Sequence, residues 1–161
     1  MASTLTVDNI VGATSASKVH VPGSVVQVLA SQMAPTAVTT TSNSYVTTGL
    51  SLTITPKFST SKIYLTCQGG GHYLPHPAQM ANVTIYKGSS NLGGTHGFES
   101  IYSTTNNTYV ITAHSLSHYD VSIGTTSAIT YTLYMKTAGG TYQFHNTDRA
   151  TITFTAMEIA Q

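Results

Sequence analysis

The chain has 161 residues, enough for one domain that buries about 70% of its unfolded surface and too few for a second full one. Only 11 residues are Asp, Glu, Lys or Arg, and the six basic ones (Lys18, Lys57, Lys62, Lys87, Lys136 and Arg149) are scattered, so a net charge of +1 offers no basic stripe to nucleic acid. With 40% hydrophobic residues, 29 Thr and 18 Ser, the composition excludes ordinary charge-rich disorder and points to a folded protein that meets water through hydroxyls and amides, as suits a durable extracellular object more than an enzyme.

Residues 1–22 contain no aromatic side chain and run through Thr, Ser, Ala and Gly to the turn signal Val21-Pro22-Gly23. They read as an attachment arm whose small apolar patches, Leu5 with Val7 and Ile10 with Val11, are too small to form a core but suited to lying on another surface. The opening MASTLTVDNIVG lacks the charged start and apolar stretch of a signal peptide, and no apolar run approaches 18 residues. A soluble chain without membrane insertion or a signal of its own is the expectation.

Residues 23–161 read as the β-sandwich domain, and from Val25 onward the patterning is period two, which places every second side chain of a strand on one face. Ser24–Ala30 opens the series less regularly. Leu50, Leu52 and Ile54 then alternate with Ser51, Thr53 and Thr55, and the same rhythm returns at Ile63–Cys67, Ala81–Ile85, Ile129–Met135 and Ile152–Ala156. Less regular strands are predicted over Phe98–Ser103, Tyr109–Ser117 and Thr141–His145. Turn chemistry separates them at Pro56-Lys57, Gly69-Gly70-Gly71, Gly88-Ser89, Gly93-Gly94, Asn106-Asn107 and Gly139-Gly140. Eight or nine strands with no helical period give an all-β fold, either a sandwich or a closed barrel, because a single sheet would leave one apolar face wet. A jelly-roll-like antiparallel β-sandwich with an extended N-terminal arm is the first expectation. With few charges to guard its edge strands, such a domain is expected to oligomerise.

Two surfaces stand out as recognition candidates. Gly69–Pro77 is the most irregular stretch and would present His72, Tyr73 and His76 from an exposed loop, or else form a crossover with its aromatics packed beneath. Asn91–Tyr109 gathers His96, Tyr102, Asn106 and Asn107 in loop-rich sequence, where Tyr and Asn make adaptable contacts. For metals, His114 and His118 on one strand stand about 13 Å apart and cannot share an ion. His118 and Asp120 converge at best as two ligands of a site that needs three or four, so no metal is assigned. Cys67 has no partner for an intramolecular disulfide and reads as a small buried hydrophobe. No Gly-x-Ser-x-Gly, phosphate loop or His-Glu-x-x-His occurs, and the five acids include no sequence-adjacent dyad, although Glu99 could pair with another acid in space. No enzyme activity and no cofactor are expected.

Three stretches carry a resemblance: Leu5–Ile10 followed by Val21–Val28, the central Leu52–Ile63, and the ending Ala156-Met157-Glu158-Ile159-Ala160-Gln161. In this order they resemble small virion structural proteins and fibre-tip domains of tailed bacteriophages, especially marine and cyanobacterial ones. The resemblance implies a virion-exposed homotrimeric β-sandwich, assembled in the host cytoplasm and attached to other virion proteins through its arm. Two functions compete under it. One is a fibre or spike tip that binds a host surface glycan or protein; the other is a capsid decoration or cement protein. The absence of shaft sequence favours decoration or a short adaptor-held knob, and the Tyr- and Asn-rich loops favour recognition.

Overall fold

A computed structural model of the chain describes residues 10–11, 21–75, 79–103, 110–145 and 147–161. Among these residues the fold is all-β, with eleven strands: β1 (Val25–Met33), β2 (Val38–Thr40), β3 (Val46–Ile54), β4 (Lys62–Leu74), β5 (Gln79–Lys87), β6 (Ser90–Asn91), β7 (Glu99–Ser103), β8 (Val110–Asp120), β9 (Ile129–Thr137), β10 (Tyr142–His145) and β11 (Ile152–Ile159). All pairings are antiparallel. The larger sheet runs β1-β11-β4-β10-β2 with β8 along the other edge of β4, and the smaller runs β3-β9-β5-β6 with β7 also on β5. The two sheets stack as a β-sandwich.

The alternation read from sequence makes this core. Leu50, Leu52 and Ile54 of β3 and Tyr131, Leu133 and Met135 of β9 point inward from the smaller sheet. Ile63, Leu65 and Cys67 of β4 and Ile152, Phe154 and Ala156 of β11 meet them from the larger one. Each fully buried aliphatic or aromatic side chain contributes about 1.5–3 kcal/mol. Cys67 is buried and free, as expected, and burial pushes its thiol well above the ordinary range. Glu158 is buried at the end of β11. Its Oε1 accepts from the Lys57 amide (2.8 Å) and the Phe58 amide (3.2 Å), and its Oε2 from Gln27 Nε2 (2.6 Å), tying the Pro56-Lys57 turn and β1 to the last strand.

One expectation needs correction. The Gly69-Gly70-Gly71 run does not break the chain: β4 continues through it to Leu74. Gly69 faces His114 of β8 and His72 faces Thr112, so three steps along β4 match two along β8. This is a β-bulge, made possible by the left-handed φ of Gly69 (94°) and Gly70 (57°). Its one extra residue exchanges the faces of the strand. Before the bulge the odd residues Ile63, Leu65 and Cys67 point inward; after it the even residues His72 and Leu74 do. His72 is therefore only 3% exposed rather than displayed in a loop.

Candidate functional site

Two groupings of polar and aromatic side chains stand out in the sandwich, one between the sheets and one on the outside of the smaller sheet.

The inner feature forms because β7 packs against β8 and β4. Alternation turns Glu99 of β7 inward, the same rule turns His114 of β8 inward, and the glycine bulge brings in His72. Glu99 Oε2 lies 2.8 Å from His114 Nδ1 and 2.9 Å from His72 Nε2, and the two imidazole centroids are 3.8 Å apart. Glu99 Oε1 accepts from the Ser115 amide at 2.5 Å, and His114 Nε2 lies 2.7 Å from the Phe144 carbonyl. His72 Nδ1 bonds the hydroxyl of the buried Tyr142. Side-chain exposures of 4% for His72, 0% for His114 and 11% for Glu99 leave the cluster nearly dry.

Donor and acceptor accounting assigns its protons. Burial by itself would raise the Glu99 carboxyl, but the hydrogen bonds and charges of His114 and His72 outweigh it and hold the group down to about 2. As a carboxylate, Glu99 only accepts. His114 faces acceptors with both nitrogens, the Glu99 carboxylate and the Phe144 carbonyl. Burial lowers the pKa of His72 despite the bond to Glu99, so this ring is neutral: its Nε2–H donates to Glu99 and its Nδ1 accepts from Tyr142. Two imidazole nitrogens and a carboxylate oxygen thus converge on one point, and these three residues could hold a metal ion.

The outer feature is a braced loop. Residues 91–98 lie over the outer face of β5, where Asn82 Nδ2 donates to the His96 carbonyl (3.0 Å) and Thr84 Oγ1 to Asn91 Oδ1 (2.6 Å). The Leu92 amide donates to Ile85 O and the Phe98 amide to Val83 O. Gly97 permits this close approach, because a Cβ there would collide with the Val83 carbonyl. Beside the loop, Tyr86 stacks on Tyr134 with ring centroids 4.1 Å apart, and Tyr45 meets Tyr86 edge-on at 6.2 Å. Lys136 Nζ sits 4.6 Å over the Tyr45 ring and donates to the Thr95 carbonyl at 2.6 Å. Partial burial and the neighbouring Tyr86 push the Tyr45 hydroxyl up to about 12. Tyr102 stands on the same outer face of β7 and is 55% exposed; His96 is exposed at the tip of the loop.

The residues singled out from sequence therefore scatter. His96 and Tyr102 share the outer surface of the smaller sheet. His72 belongs to the inner cluster, and Tyr73 is half-buried on β4 rather than in a loop. His76, Asn106, Asn107, Leu5 and Val7 lie outside the described residues, while Ile10 and Val11 are 62% and 60% exposed. His118 and Asp120 do point to one side of β8, but each is occupied with neighbours. His118 packs on Phe98 at 4.9 Å. Asp120 binds Lys87 Nζ (2.8 Å), the Tyr131 hydroxyl (2.6 Å) and the Ser122 amide (3.1 Å). The Glu99–His114–His72 grouping escaped sequence reasoning, because its members come from three strands and the phase of His72 depends on the bulge. An inward-facing His114 on a strand otherwise alternating with Ser was the one available signal.

No protein-family model and no curated protein matches the chain. Among solved structures it is similar to a structure of infectious bursal disease virus, Gx strain, with 12% identity and a TM-score of 0.41 over 84% of this chain and 37% of that one. The corresponding structure of the Gt strain gives 13% identity and a TM-score of 0.38 over 86% and 39%. The chain thus spans about two fifths of the length of either.

Proposed function

We propose that this chain is a non-enzymatic structural protein of a tailed-bacteriophage virion, a tip module that presents the outer face of its smaller sheet to a host surface glycan or protein. The observation that carries this reading is the braced loop beside the tyrosines. Residues 91–98 are pinned to β5 by side-chain and backbone bonds, so His96 and the neighbouring Tyr45, Tyr86, Tyr134 and Tyr102 form a preorganised surface. Tyrosines give large contact area at small entropic cost, and rigid display lowers the cost of binding further. The resemblance of the three sequence stretches to fibre-tip proteins supports the virion setting, with the arm of residues 1–22 as the attachment.

The test is adsorption. Purified protein bound to host cells should lose affinity about 30-fold or more in Tyr102→Ala, since an exposed aromatic anchor contributes about 2 kcal/mol. Its thermal midpoint should stay within about 1 °C of the parent, because the ring is 55% exposed. Unchanged adsorption by folded Tyr102→Ala and His96→Ala proteins would remove this surface from the function.

A second reading, capsid decoration, is favoured by the opposite side of the molecule. Val28, Met157, Tyr64 and Tyr119 stand in register across β1, β11, β4 and β8 on the outer face of the larger sheet. Val25, Val28, Tyr119 and Val121 there are 54%, 55%, 39% and 59% exposed. A continuous apolar row on a virion protein suits contact with neighbouring subunits, whether copies of this chain or a capsid lattice.

A further inference from the structure

We propose that the chain binds one zinc ion between its two sheets, with His72 Nε2, His114 Nδ1 and Glu99 Oε2 as ligands. The donor set is the two-imidazole, one-carboxylate combination that zinc accepts at about 2.0–2.2 Å. Ligands of one tetrahedral ion at that distance stand about 3.3 Å apart. Here Glu99 Oε2 stands 2.8 Å from His114 Nδ1 and 2.9 Å from His72 Nε2, and all three donors lie within 4.8 Å of one another, so small shifts of these side chains admit the ion.

The surroundings supply what a metal site needs beyond its ligands. Each atom not used for the ion is already held: His114 Nε2–H by the Phe144 carbonyl, Glu99 Oε1 by the Ser115 amide, and His72 Nδ1 by the Tyr142 hydroxyl. Such outer partners fix ring orientation and ligand basicity. Proton balance is simple. Zinc displaces the Nδ1 proton of His114 to solvent; the Nε2 proton of His72 is replaced by the metal, and the ring takes its other tautomer, with Nδ1–H donating to the Tyr142 oxygen. The proton on His72 Nδ1 replaces the one lost from Nε2, so the proton released on binding is the one displaced from His114 Nδ1. The partly exposed Glu99 is the side from which the ion enters. A bound ion would clamp β7 of the smaller sheet to β4 and β8 of the larger at the side of the sandwich where β7 and β8 meet.

Chelator-stripped full-length protein is titrated with Co²⁺ and, separately, Zn²⁺. Cobalt should saturate at one ion per chain with a visible absorption band that zinc abolishes. Zinc should raise the thermal midpoint by about 5–10 °C at a hundredfold excess over its Kd. His118→Ala should behave like the parent, whereas His114→Ala and Glu99→Gln should lose the band and the shift. X-ray absorption on the zinc-loaded parent, which requires no variant to fold, should show two imidazoles in the inner shell. Absence of stoichiometric cobalt binding, a band that survives in His114→Ala and Glu99→Gln, or an inner shell lacking two imidazoles would each overturn the assignment.

Discussion

At the scale of single residues, the acids Glu99, Asp120 and Glu158 act from within the sandwich, each held by named partners. Asp120 shows how. Burial would raise its carboxyl, but the Lys87 ammonium, the Tyr131 hydroxyl and the Ser122 amide together hold it below the ordinary range. A carboxyl depressed in the folded state contributes stability that is complete above its unfolded pKa of about 3.9 and is lost as pH falls through the folded value. The thermal midpoint should therefore fall as pH drops below about 4, with a shallower acid slope in Asp120→Asn, as read by melting curves between pH 2 and 7. Equal slopes for the two proteins would show that Asp120 carries none of the acid sensitivity. The direction of the Asp120 side chain was legible, since it follows from the alternation of β8. Its partners were not: Lys87 and Tyr131 reach it from β5 and β9, and nothing local in the sequence encodes that meeting.

At the scale of elements, alternation of apolar residues with Thr and Ser located nine of the eleven described strands, because a sandwich buries one face of nearly every strand. The two missed strands, β2 and β6, have three and two residues, too short to establish a period. The bulge in β4 was missed for a different reason. A run of three glycines marks a turn and a bulge equally well, and only pairing with β8 on one edge and β11 on the other decides between them. Gly69 is the sensitive point, because its φ is 94° and a Cβ would press into the Thr151 carbonyl. Gly69→Ala should destabilise the fold by about 1–3 kcal/mol or more in chemical denaturation. The same change should disturb His72 and its bond to Glu99, visible as shifted histidine ring resonances, since the bulge sets which face that residue occupies. A neutral Gly69→Ala with unshifted resonances would mean that the strand does not depend on this geometry.

At the scale of the whole molecule, the sandwich separates two outer faces: tyrosines beside a braced loop on the smaller sheet, and a row of valine, methionine and tyrosine on the larger. If the second face packs against further copies and the first stays free, the assembly is a symmetric tip. A homotrimer should sediment at about 51 kDa, three times the 17.0 kDa chain. Val28→Asp, which puts a charge into that row, should shift the protein towards monomer with little loss of fold, because Val28 is 55% exposed. A wild-type protein that remains monomeric at micromolar concentration would argue against the trimer. The sandwich was readable from composition and period. The apolar row on the larger sheet was not, because it depends on the register that lines up Val28, Met157, Tyr64 and Tyr119 from four separate strands.

The proposed virion role is tested most directly by electron microscopy of purified particles labelled with a gold-conjugated antibody against this chain. Label confined to the tail or fibre tips, in a few dozen copies or fewer, is the expected result for a tip module. Label spread in hundreds of copies over the head would replace recognition with capsid decoration, and particles free of label would contradict the virion assignment itself.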